Sequence, residues 1–238
     1  VIAVFIALNA QETLEDFVHS FPKNLVDEMI LVDDKSSDNT FELAKRLGLS
    51  AYRNPVRLGY GGNLKRALKL ALARGADVIV DIHPDGEYKT ASISGALKKV
   101  ERGADLVLGN RFSTPFKPIE NGMRIWKLIP IALLNKVDRL VFGSDLDFHQ
   151  GLRVYTKVLL TRINFLENSN DYLFSFEVIA QTAYKGVKID QVFVETCYTG
   201  RKRGASLTNS ISYTLGTFRI RGLYLLAKLG FQSRLFRE

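Results

Sequence analysis

Short runs of apolar residues alternate with amphipathic stretches along the first 110 residues of the chain. Runs rich in Val, Ile and Leu predict buried strands, and apolar positions spaced three and four apart predict the helices between them. The predicted strands are residues 1–8, 29–32, 51–53, 78–82 and 106–108, and the predicted helices are residues 12–21, 39–48, 63–74 and a segment that ends at residue 100. Strands that alternate with helices are typical of an α/β fold, in which helices cover both faces of a parallel sheet.

The second half of the chain has a less regular pattern. It predicts helices over residues 126–142 and 174–185 and from residue 208 onward, with strands over residues 151–155 and 188–195. The chain has 238 residues, and no internal repeat or clear linker divides it. The length suggests one large domain or one and a half small ones.

Polar side chains follow four of the predicted strands. They are Asn9 after the first strand, Asp33 and Asp34 after the second, Asp85 and Glu87 after the fourth, and Asn110 and Arg111 after the fifth. The carboxyl ends of parallel strands meet at one edge of a sheet, where ligands bind in such folds. The sequence therefore predicts a ligand site at this edge.

The segment DIHPDGEY, residues 81–88, is the strongest candidate for chemistry. His83, Asp85 and Glu87 occupy alternate positions, and alternate side chains of an extended segment point the same way. Carboxylates, with or without an imidazole, could hold Mg²⁺ or Mn²⁺ and leave positions for phosphate oxygens. The alternative is an ordinary turn, because Pro-Asp-Gly is a strong turn sequence. The position at a strand end favours the metal site.

Two further loops have a functional and a structural interpretation. Asp34 could accept hydrogen bonds from a nucleobase or a ribose, whereas the residues that follow it are assigned to helix capping. The glycine cluster of residues 59–62 precedes a predicted helix, as a phosphate-binding loop would. It has neither the lysine nor the spacing of a known phosphate loop, so a turn that lets the helix pack closely is favoured.

The charge is concentrated at the end of the chain. The formal net charge is +8, of which residues 201–238 contribute +7. This basic end predicts a phosphate-rich partner, and the alternative is a solvated basic helix. A nucleic acid is disfavoured because the basic residues lack interleaved aromatic residues.

Composition excludes several classes of protein. Apolar residues make up 46% of the chain, which argues against disorder. Cys197 is the single cysteine, so an internal disulfide is excluded and a reducing compartment is favoured. The apolar stretches 125–142 and 211–231 are interrupted by charges, so neither is expected to span a bilayer. Either could lie on a membrane surface, or the first could be core.

The order of several short motifs resembles that of the family 2 glycosyltransferases. The motifs are Ala7-Leu8-Asn9, Val32-Asp33-Asp34, Asn54-Pro55 with Leu58-Gly59-Tyr60-Gly61-Gly62, Asp85-Gly86, Gly109-Asn110-Arg111-Phe112, and Gly151-Leu152-Arg153-Val154-Tyr155. The resemblance extends from Val1 to about Thr217 and is greatest to the dolichol-phosphate mannose synthase and polyprenyl-phosphate glycosyltransferase branch. Each motif is weak alone, but six in order are specific.

The resemblance implies a GT-A fold and the metal-dependent, inverting transfer of a hexose from a UDP- or GDP-sugar to a polyprenyl phosphate. The implied donor-binding residues are Ile6, Leu8, Asn9, Val32, Asp34, His83, Asp85, Arg111 and Arg201. The implied ligands of Mg²⁺ or Mn²⁺ are Asp85, Glu87 and His83, and the implied catalytic residues are Asp85, Arg111 and Asp147. Arg111 would hold a phosphate of the acceptor or donor, and Arg201 would close over the sugar-phosphate.

The chain departs from the family pattern at four positions. His83 stands where the first aspartate of the DxD motif is usual, and Glu87 where a glutamine is usual. Ala10 replaces an expected acidic residue, and Leu207 an expected lysine. These departures keep open a catalytically inactive domain that binds nucleotide or anionic lipid.

The acceptor determines whether a general base is needed. A polyprenyl phosphate is already ionised at neutral pH and needs only positioning by cations, whereas a hydroxyl acceptor needs a base. Asp147 and His149 are the candidates for that base, and the alternative is that they bond to the following loop. A hydroxyl acceptor on a glycan or glycolipid, and a nucleotidyltransferase, therefore remain alternatives.

The resemblance also implies an organisation and a location. Residues 1–111 would bind the nucleotide-sugar, residues 112–208 the acceptor, and residues 209–238 would form basic, membrane-associated helices. The protein would then be cytoplasmic and peripheral on the cytoplasmic face of a membrane. Because Val1 lies inside a predicted strand, we also expect native residues to precede it.

Overall fold

A seven-stranded sheet organises the part of the chain that the structure, a computed structural model, describes: residues 1–112, 117–120, 125–143, 151–197 and 207–237. The strands are β1 (Ile2–Ala7), β2 (Glu28–Asp33), β3 (Ser50–Arg53), β4 (Val78–Asp81), β5 (Leu106–Asn110), β6 (Arg153–Thr156) and β7 (Ile189–Phe193). Their order across the sheet is β3-β2-β1-β4-β6-β5-β7.

One strand runs against the others. β1 pairs in parallel with β2 and β4, β2 pairs in parallel with β3, and β5 pairs in parallel with β7. β6 lies between β4 and β5 and is antiparallel to both. The carboxyl ends of β1, β2, β4 and β5 therefore share one edge, as predicted, and the predicted mostly parallel sheet with a mixed second half is confirmed.

The helices follow the predicted order. They are α1 (Gln11–Ser20), α2 (Thr40–Arg46), α3 (Gly59–Ala73), α4 (Ile93–Glu101), α5 (Lys117–Glu120), α6 (Ile125–Phe142), α7 (Lys157–Arg162), α8 (Leu173–Tyr184) and α9 (Leu207–Lys228). Short 3₁₀ turns occur at Lys23–Leu25, Thr90–Ser92 and Phe165–Glu167. The pattern did not predict α5 or α7, which are only four and six residues long.

The core forms two layers, one on each face of the sheet. Every residue of β1 is buried, because helices cover both faces. Ile2, Val4 and Ile6 of this strand pack in the layer that α3, α8 and α9 complete, and Ala3 and Phe5 pack in the layer that α1, α2 and α4 complete. The continuous apolar run at the start of the chain is thus the centre of the fold.

The start of α3 differs from the prediction. The helix begins at Gly59 rather than at residue 63, so the glycine cluster forms its first turn. The amides of Gly61 and Gly62 donate to the carbonyl oxygen of Asn170, at 2.8 and 3.2 Å. A Cβ atom on Gly61 would lie against the backbone of Ser169 and within 2.8 Å of the carbonyl oxygen of Asp171. The favoured interpretation, close packing at the start of this helix, is therefore correct, and these amides are not available to a phosphate.

We expect Gly61→Ala to destabilise the protein by about 1–3 kcal/mol, because the added methyl group forces α3 away from residues 169–171. Gly222→Ala in α9 is the matched control, since a methyl group added there would meet no other atom within 4 Å. This control should be as stable as the wild type or more stable by roughly 0.5–1 kcal/mol. Urea unfolding of both variants measures the difference, and equal midpoints for Gly61→Ala and the wild type would contradict this packing.

α6 and α9 pack against each other through a buried ion pair. Arg221 of α9 donates from Nε to Oδ1 of Asp138 of α6 at 2.8 Å, and both side chains are almost completely buried. Phe142 and Tyr224 meet edge to face beside them, with ring centroids 4.8 Å apart. The outward sides of the two helices and the turn after α9 carry large exposed apolar residues. These are Leu133, Leu140, Ile211, Leu215, Phe218, Leu225, Leu226, Leu229 and Phe231.

Among the described residues, no helix combines the length and the hydropathy that crossing a bilayer requires.

Candidate active site

A cleft of about 280 Å³ opens at the carboxyl edge of the sheet, between the end of β1, the start of α1 and the loop after β4. Its lining residues are Ile6, Ala7, Leu8, Asn9, Ala10, Thr13, His83, Pro84 and Asp85. The hydroxyl of Thr13 donates to the carbonyl oxygen of Pro84 at 2.7 Å and so ties α1 to the loop after β4. The cleft brings together five predicted donor-binding residues, namely Ile6, Leu8, Asn9, His83 and Asp85.

Asn9 shapes one end of this cleft. Its backbone has φ 53°, a left-handed conformation that asparagine tolerates better than most residues. Its amide donates to the hydroxyl of Ser36 at 2.8 Å, and its side-chain oxygen accepts from the amide of Ser37 at 2.8 Å. The loop after β2 is therefore fastened to the end of β1.

Asp34 caps a helix in the structure, although the sequence assigned it to the ligand and assigned capping to later residues. Its carboxylate accepts from the amides of Leu58 and Gly59, at 2.8 and 3.0 Å, and from the side chain of Asn54 at 2.7 Å. The carboxylate is nearly buried, so its negative charge stabilises the start of α3. Val32 is fully buried in the core. Neither residue lines this cleft, and the contacts of their side chains with a nucleoside stay a prediction.

The loop after β4 is a turn and not an extended segment. Gly86 has φ 74°, and the amide of Glu87 donates to Oδ1 of Asp85 at 2.9 Å. The prediction that His83, Asp85 and Glu87 point the same way is therefore wrong. Within the described ranges no three His, Cys, Asp or Glu residues are grouped to hold a metal ion. Glu87 instead approaches Arg111, with 3.5 Å between its Oε1 and Nη1 of the arginine.

His83 and Asp85 remain together on the cleft wall. Nε2 of His83 is buried and has no hydrogen-bond partner among the residues that the structure describes. An imidazole nitrogen beside a carboxylate suits Mn²⁺. Such cations are commonly held by one or two protein groups and completed by phosphate oxygens of the substrate. Among the described residues the cleft wall therefore offers two ligands, and these fit a metal ion whose coordination the phosphate oxygens of a substrate would complete.

Arg111 lies farther along the same edge. Its guanidinium is 5.8 Å from the centre of the Tyr88 ring, and its side chain is largely buried. β2 and β5 are separated by β1, β4 and β6, so Asp34 and Arg111 stand roughly 19 Å apart along the edge, or four interstrand spacings. Asp34, Asp85 and Arg111 thus share one edge, with Asp85 between the other two.

A buried polar network under the cleft was missed at the sequence level. Asp81 and Arg153 face each other across β4 and β6, with 3.6 Å between Oδ2 and Nη1. Nη1 of Arg153 also donates to the hydroxyl oxygen of Tyr60 at 3.1 Å, and that hydroxyl lies 3.0 Å from the hydroxyl of Ser175. Burial raises the pKa of Asp81, against the opposing charges of His83 and Arg153. The sequence signal that could have predicted this network is a charged residue in each of two apolar strands, Asp81 at the end of one and Arg153 at the start of the other.

The network places an aromatic ring beside His83. The centroid of the Tyr60 ring is 5.4 Å from that of His83, and burial raises the pKa of the Tyr60 hydroxyl, which keeps it neutral. Asp147, His149 and Arg201, which the sequence assigned to the acceptor side and the donor, lie outside the described residues.

The seven-stranded, mostly parallel sheet covered by helices on both faces, with a cleft at its carboxyl edge, is the GT-A fold that the motifs implied. The sequence matches the family described as "Glycosyl transferase family 2" over residues 2–163. The chain belongs to glycosyltransferase family 2 and is an enzyme of that family, as the order of its motifs predicted.

Relatives cover most of the chain at low identity. An uncharacterised protein of Methanocaldococcus jannaschii is 28% identical over 229 residues, which are 95% of this chain and 89% of that protein. The polyprenol monophosphomannose synthase of Mycolicibacterium smegmatis is 26% identical over 218 residues, which are 88% of this chain and 78% of that one. The undecaprenyl-phosphate mannosyltransferase of Micrococcus luteus is 29% identical and covers 71% of this chain and 72% of its own.

Solved structures share the fold. Glucosyl-3-phosphoglycerate synthase from Mycobacterium tuberculosis in complex with phosphoglyceric acid has a TM-score of 0.70 at 22% identity, covering 98% of this chain and 80% of that one. The same enzyme in complex with Mn²⁺, UDP-glucose and phosphoglyceric acid has a TM-score of 0.68 at 21% identity. This match covers 93% of this chain and 79% of that one. That structural neighbour therefore binds Mn²⁺ together with a UDP-sugar.

Proposed function

We propose that this protein is a metal-dependent, inverting glycosyltransferase that moves a hexose from a UDP- or GDP-sugar to a polyprenyl phosphate. The observation that carries the proposal is the pairing of His83 and Asp85 on the wall of a cleft at the carboxyl edge of the sheet. Mycobacterial and micrococcal relatives whose names specify transfer to polyprenyl carriers support the acceptor. Residues 1–238 then act as one catalytic domain.

The cleft suits the nucleoside end of the donor. Leu8, which exposes 46% of its surface, lines the cleft together with the polar residues Asn9 and Thr13. His83 and Asp85 would hold Mn²⁺ or Mg²⁺, which neutralises the diphosphate as it leaves the sugar. The hydrogen bond from Thr13 to Pro84 keeps the loop that carries these two residues at a fixed distance from the nucleoside.

The acceptor side requires a cation rather than a base. A phosphate monoester is ionised at neutral pH, and its oxygen can attack the anomeric carbon opposite the leaving diphosphate. Arg111 has the planar, bidentate geometry that suits a phosphate, and its approach to Glu87 and Tyr88 fixes its orientation. Arg201 is proposed to close over the sugar-phosphate from the segment outside the described residues.

The second candidate keeps the donor and changes the acceptor. Glucosyl-3-phosphoglycerate synthase, the structural neighbour, has been captured with phosphoglyceric acid, so this fold also accommodates a small polar molecule beside the donor. A hydroxyl acceptor would need a general base, for which Asp147 is proposed.

A transfer assay decides between these functions. The purified chain is incubated with Mn²⁺, each of UDP-glucose, UDP-N-acetylglucosamine and GDP-mannose, and either a short polyprenyl phosphate or a glycoside acceptor. Sugar in the lipid fraction, with activity retained in Asp147→Asn, supports the phosphate acceptor. Transfer to the glycoside only, abolished in Asp147→Asn, supports the hydroxyl acceptor. Donor binding without any transfer supports the catalytically inactive domain and contradicts both.

The outward faces of α6 and α9 are proposed to meet the membrane that carries the acceptor, on its cytoplasmic side. Their exposed apolar residues are accompanied by basic residues, among them Lys136, Arg139, Arg219 and Lys228. Each basic residue near an anionic surface adds about 1 kcal/mol of attraction. Mg²⁺ or Mn²⁺, the nucleotide-sugar and this peripheral contact complete the set of proposed partners.

We expect the protein to sediment with vesicles that contain anionic lipid, and Leu215→Glu combined with Leu229→Glu to weaken this binding about tenfold or more, since both leucines are exposed on the proposed face. Val56→Glu with Val158→Glu is the matched control, because these valines are similarly exposed but lie after β3 and on α7. Equal binding by the two double variants would contradict the assignment of this face.

A further inference from the structure

We propose that Tyr172, stacked on Tyr60, is the surface on which the transferred hexose lies. This inference rests on the proposed function and adds a specificity-determining residue to it. Tyr172 exposes 51% of its surface at the start of α8, although it is a large aromatic residue. Its ring packs against that of Tyr60, with centroids 5.1 Å apart and planes inclined by 33°.

The segment before Tyr172 is held from several directions. The carbonyl oxygen of Asn170 accepts from two amides in the first turn of α3, and its side chain accepts from Nζ of Lys65 at 2.8 Å. Glu177 accepts from the amide and the hydroxyl of Ser169, at 2.6 and 2.8 Å. Asp171 accepts from the amide of Leu173 at 2.8 Å. An exposed ring on so well anchored a segment loses little conformational freedom when a ligand covers it.

The supporting ring is fixed as well. The hydroxyl of Tyr60 is within hydrogen-bonding distance of both Ser175 and Arg153, and its amide belongs to the first turn of α3. Tyr172 therefore packs against a ring whose orientation is fixed by hydrogen bonds. Together, the two tyrosines and His83 form a row of three rings with successive centroid distances of 5.1 and 5.4 Å.

The order of the groups in a nucleotide-sugar indicates which of them lies on Tyr172. In such a donor the diphosphate joins the nucleoside to the sugar. If the diphosphate lies at His83 and Asp85, the cleft at the end of β1 receives one end of the donor. Of the three rings, His83 lines that cleft whereas Tyr60 and Tyr172 do not, so the rings extend from His83 beyond the cleft lining. The remaining end of the donor, which is the hexose, then reaches Tyr172.

An aromatic face is chemically suited to a pyranose. The ring face of tyrosine carries the negative part of its quadrupole, and the axial C–H bonds of a hexose present small positive charges to it. The many close carbon contacts add dispersion energy, and the sugar hydroxyls at the rim remain available to polar groups and water. A nucleoside diphosphate without the sugar would make no such contact.

Calorimetric titration in the presence of Mn²⁺ tests this assignment. The wild type is titrated with UDP-glucose, UDP-N-acetylglucosamine and GDP-mannose, and the tightest of these is then compared with its own nucleoside diphosphate. We expect Tyr172→Ala to weaken binding of the nucleotide-sugar by about tenfold, or 1.4 kcal/mol, and to leave binding of the nucleoside diphosphate unchanged. Tyr172→Phe should bind both ligands as the wild type does, because the ring face is kept.

Controls separate this role from a structural one. Phe231→Ala removes an aromatic ring that is also exposed, by 64% of its surface, but lies after α9, and should not change either affinity. Tyr172→Leu keeps apolar bulk and is used if Tyr172→Ala lowers the unfolding temperature; it should show the same selective loss.

Three outcomes would overturn the inference. If Tyr172→Ala and Tyr172→Leu bind the nucleotide-sugar as the wild type does, the hexose does not lie on this ring. If both ligands weaken equally, the ring contacts the nucleoside. If the wild type binds none of the donors, the proposed function fails, and this inference fails with it.

Discussion

Replacing Asp85 with asparagine should lower the rate of sugar transfer by roughly 10²–10³-fold, the size of effect seen when a single charge-stabilising group is removed from an active site. The substitution removes the negative charge on the cleft wall but keeps an oxygen that can accept the hydrogen bond from the amide of Glu87. The turn should therefore persist while the site for a cation shared with the diphosphate is lost. Initial rates measured across a Mn²⁺ titration provide the test.

Asp190→Asn is the control for this prediction. Asp190 pairs with Lys99 at 2.9 Å on β7, away from the cleft, so its loss removes one aspartate charge without altering the site. Transfer by this control should match that of the wild type. Full activity of Asp85→Asn at every Mn²⁺ concentration would remove Asp85 from the mechanism.

Replacing Arg221 with methionine should destabilise the protein by about 3–5 kcal/mol, because it removes the positive charge that pairs with the buried carboxylate of Asp138. The guanidinium also packs over Phe176 and Phe218, with distances of 5.0 and 4.8 Å to the ring centroids. The loss should appear as a lower midpoint in urea unfolding.

The neighbouring Arg219 supplies a matched control, because its side chain is exposed on the same helix. Arg219→Met should change the free energy of unfolding by no more than about 0.5 kcal/mol. The double variant Arg221→Met, Asp138→Leu should recover most of the loss, since it removes both charges together. If Arg221→Met is as stable as Arg219→Met, the ion pair does not join α6 to α9.

The order of strands and helices could be predicted because a strand that is buried on both faces of the sheet appears in the sequence as a continuous apolar run. β1 and residues 29–32 of β2 appear as unbroken apolar runs, and the helices between strands show apolar residues spaced three and four apart. The antiparallel direction of β6 was not predictable in this way. A short buried strand looks the same in either direction, and its direction depends on contacts with residues 78–81 and 106–108 that are distant in sequence.

The site was predicted in part, and its errors have a common physical cause. Alternation at residues 83, 85 and 87 indicates a shared direction only if the backbone is extended, and the turn at Gly86 breaks that condition. The capping of α3 by Asp34 was not predicted either, because the amides that its carboxylate accepts from belong to residues 58 and 59, more than twenty positions later in the sequence. The position of Tyr172 at the site could not be predicted from the sequence, because only the fold brings it into contact with Tyr60.

The insertion of β6 between β4 and β5 has a consequence for synthesis of the chain. β4 and β5 are complete once residue 110 has been made, yet neither can hydrogen-bond to the other, because a strand starting at Arg153 occupies the space between them. In the nascent chain, the edges of β4 and β5 that pair with β6 therefore stay unpaired until more than forty further residues have been synthesised. A fragment that ends at residue 111 would lack β6, the strand that joins β4 to β5 in the sheet.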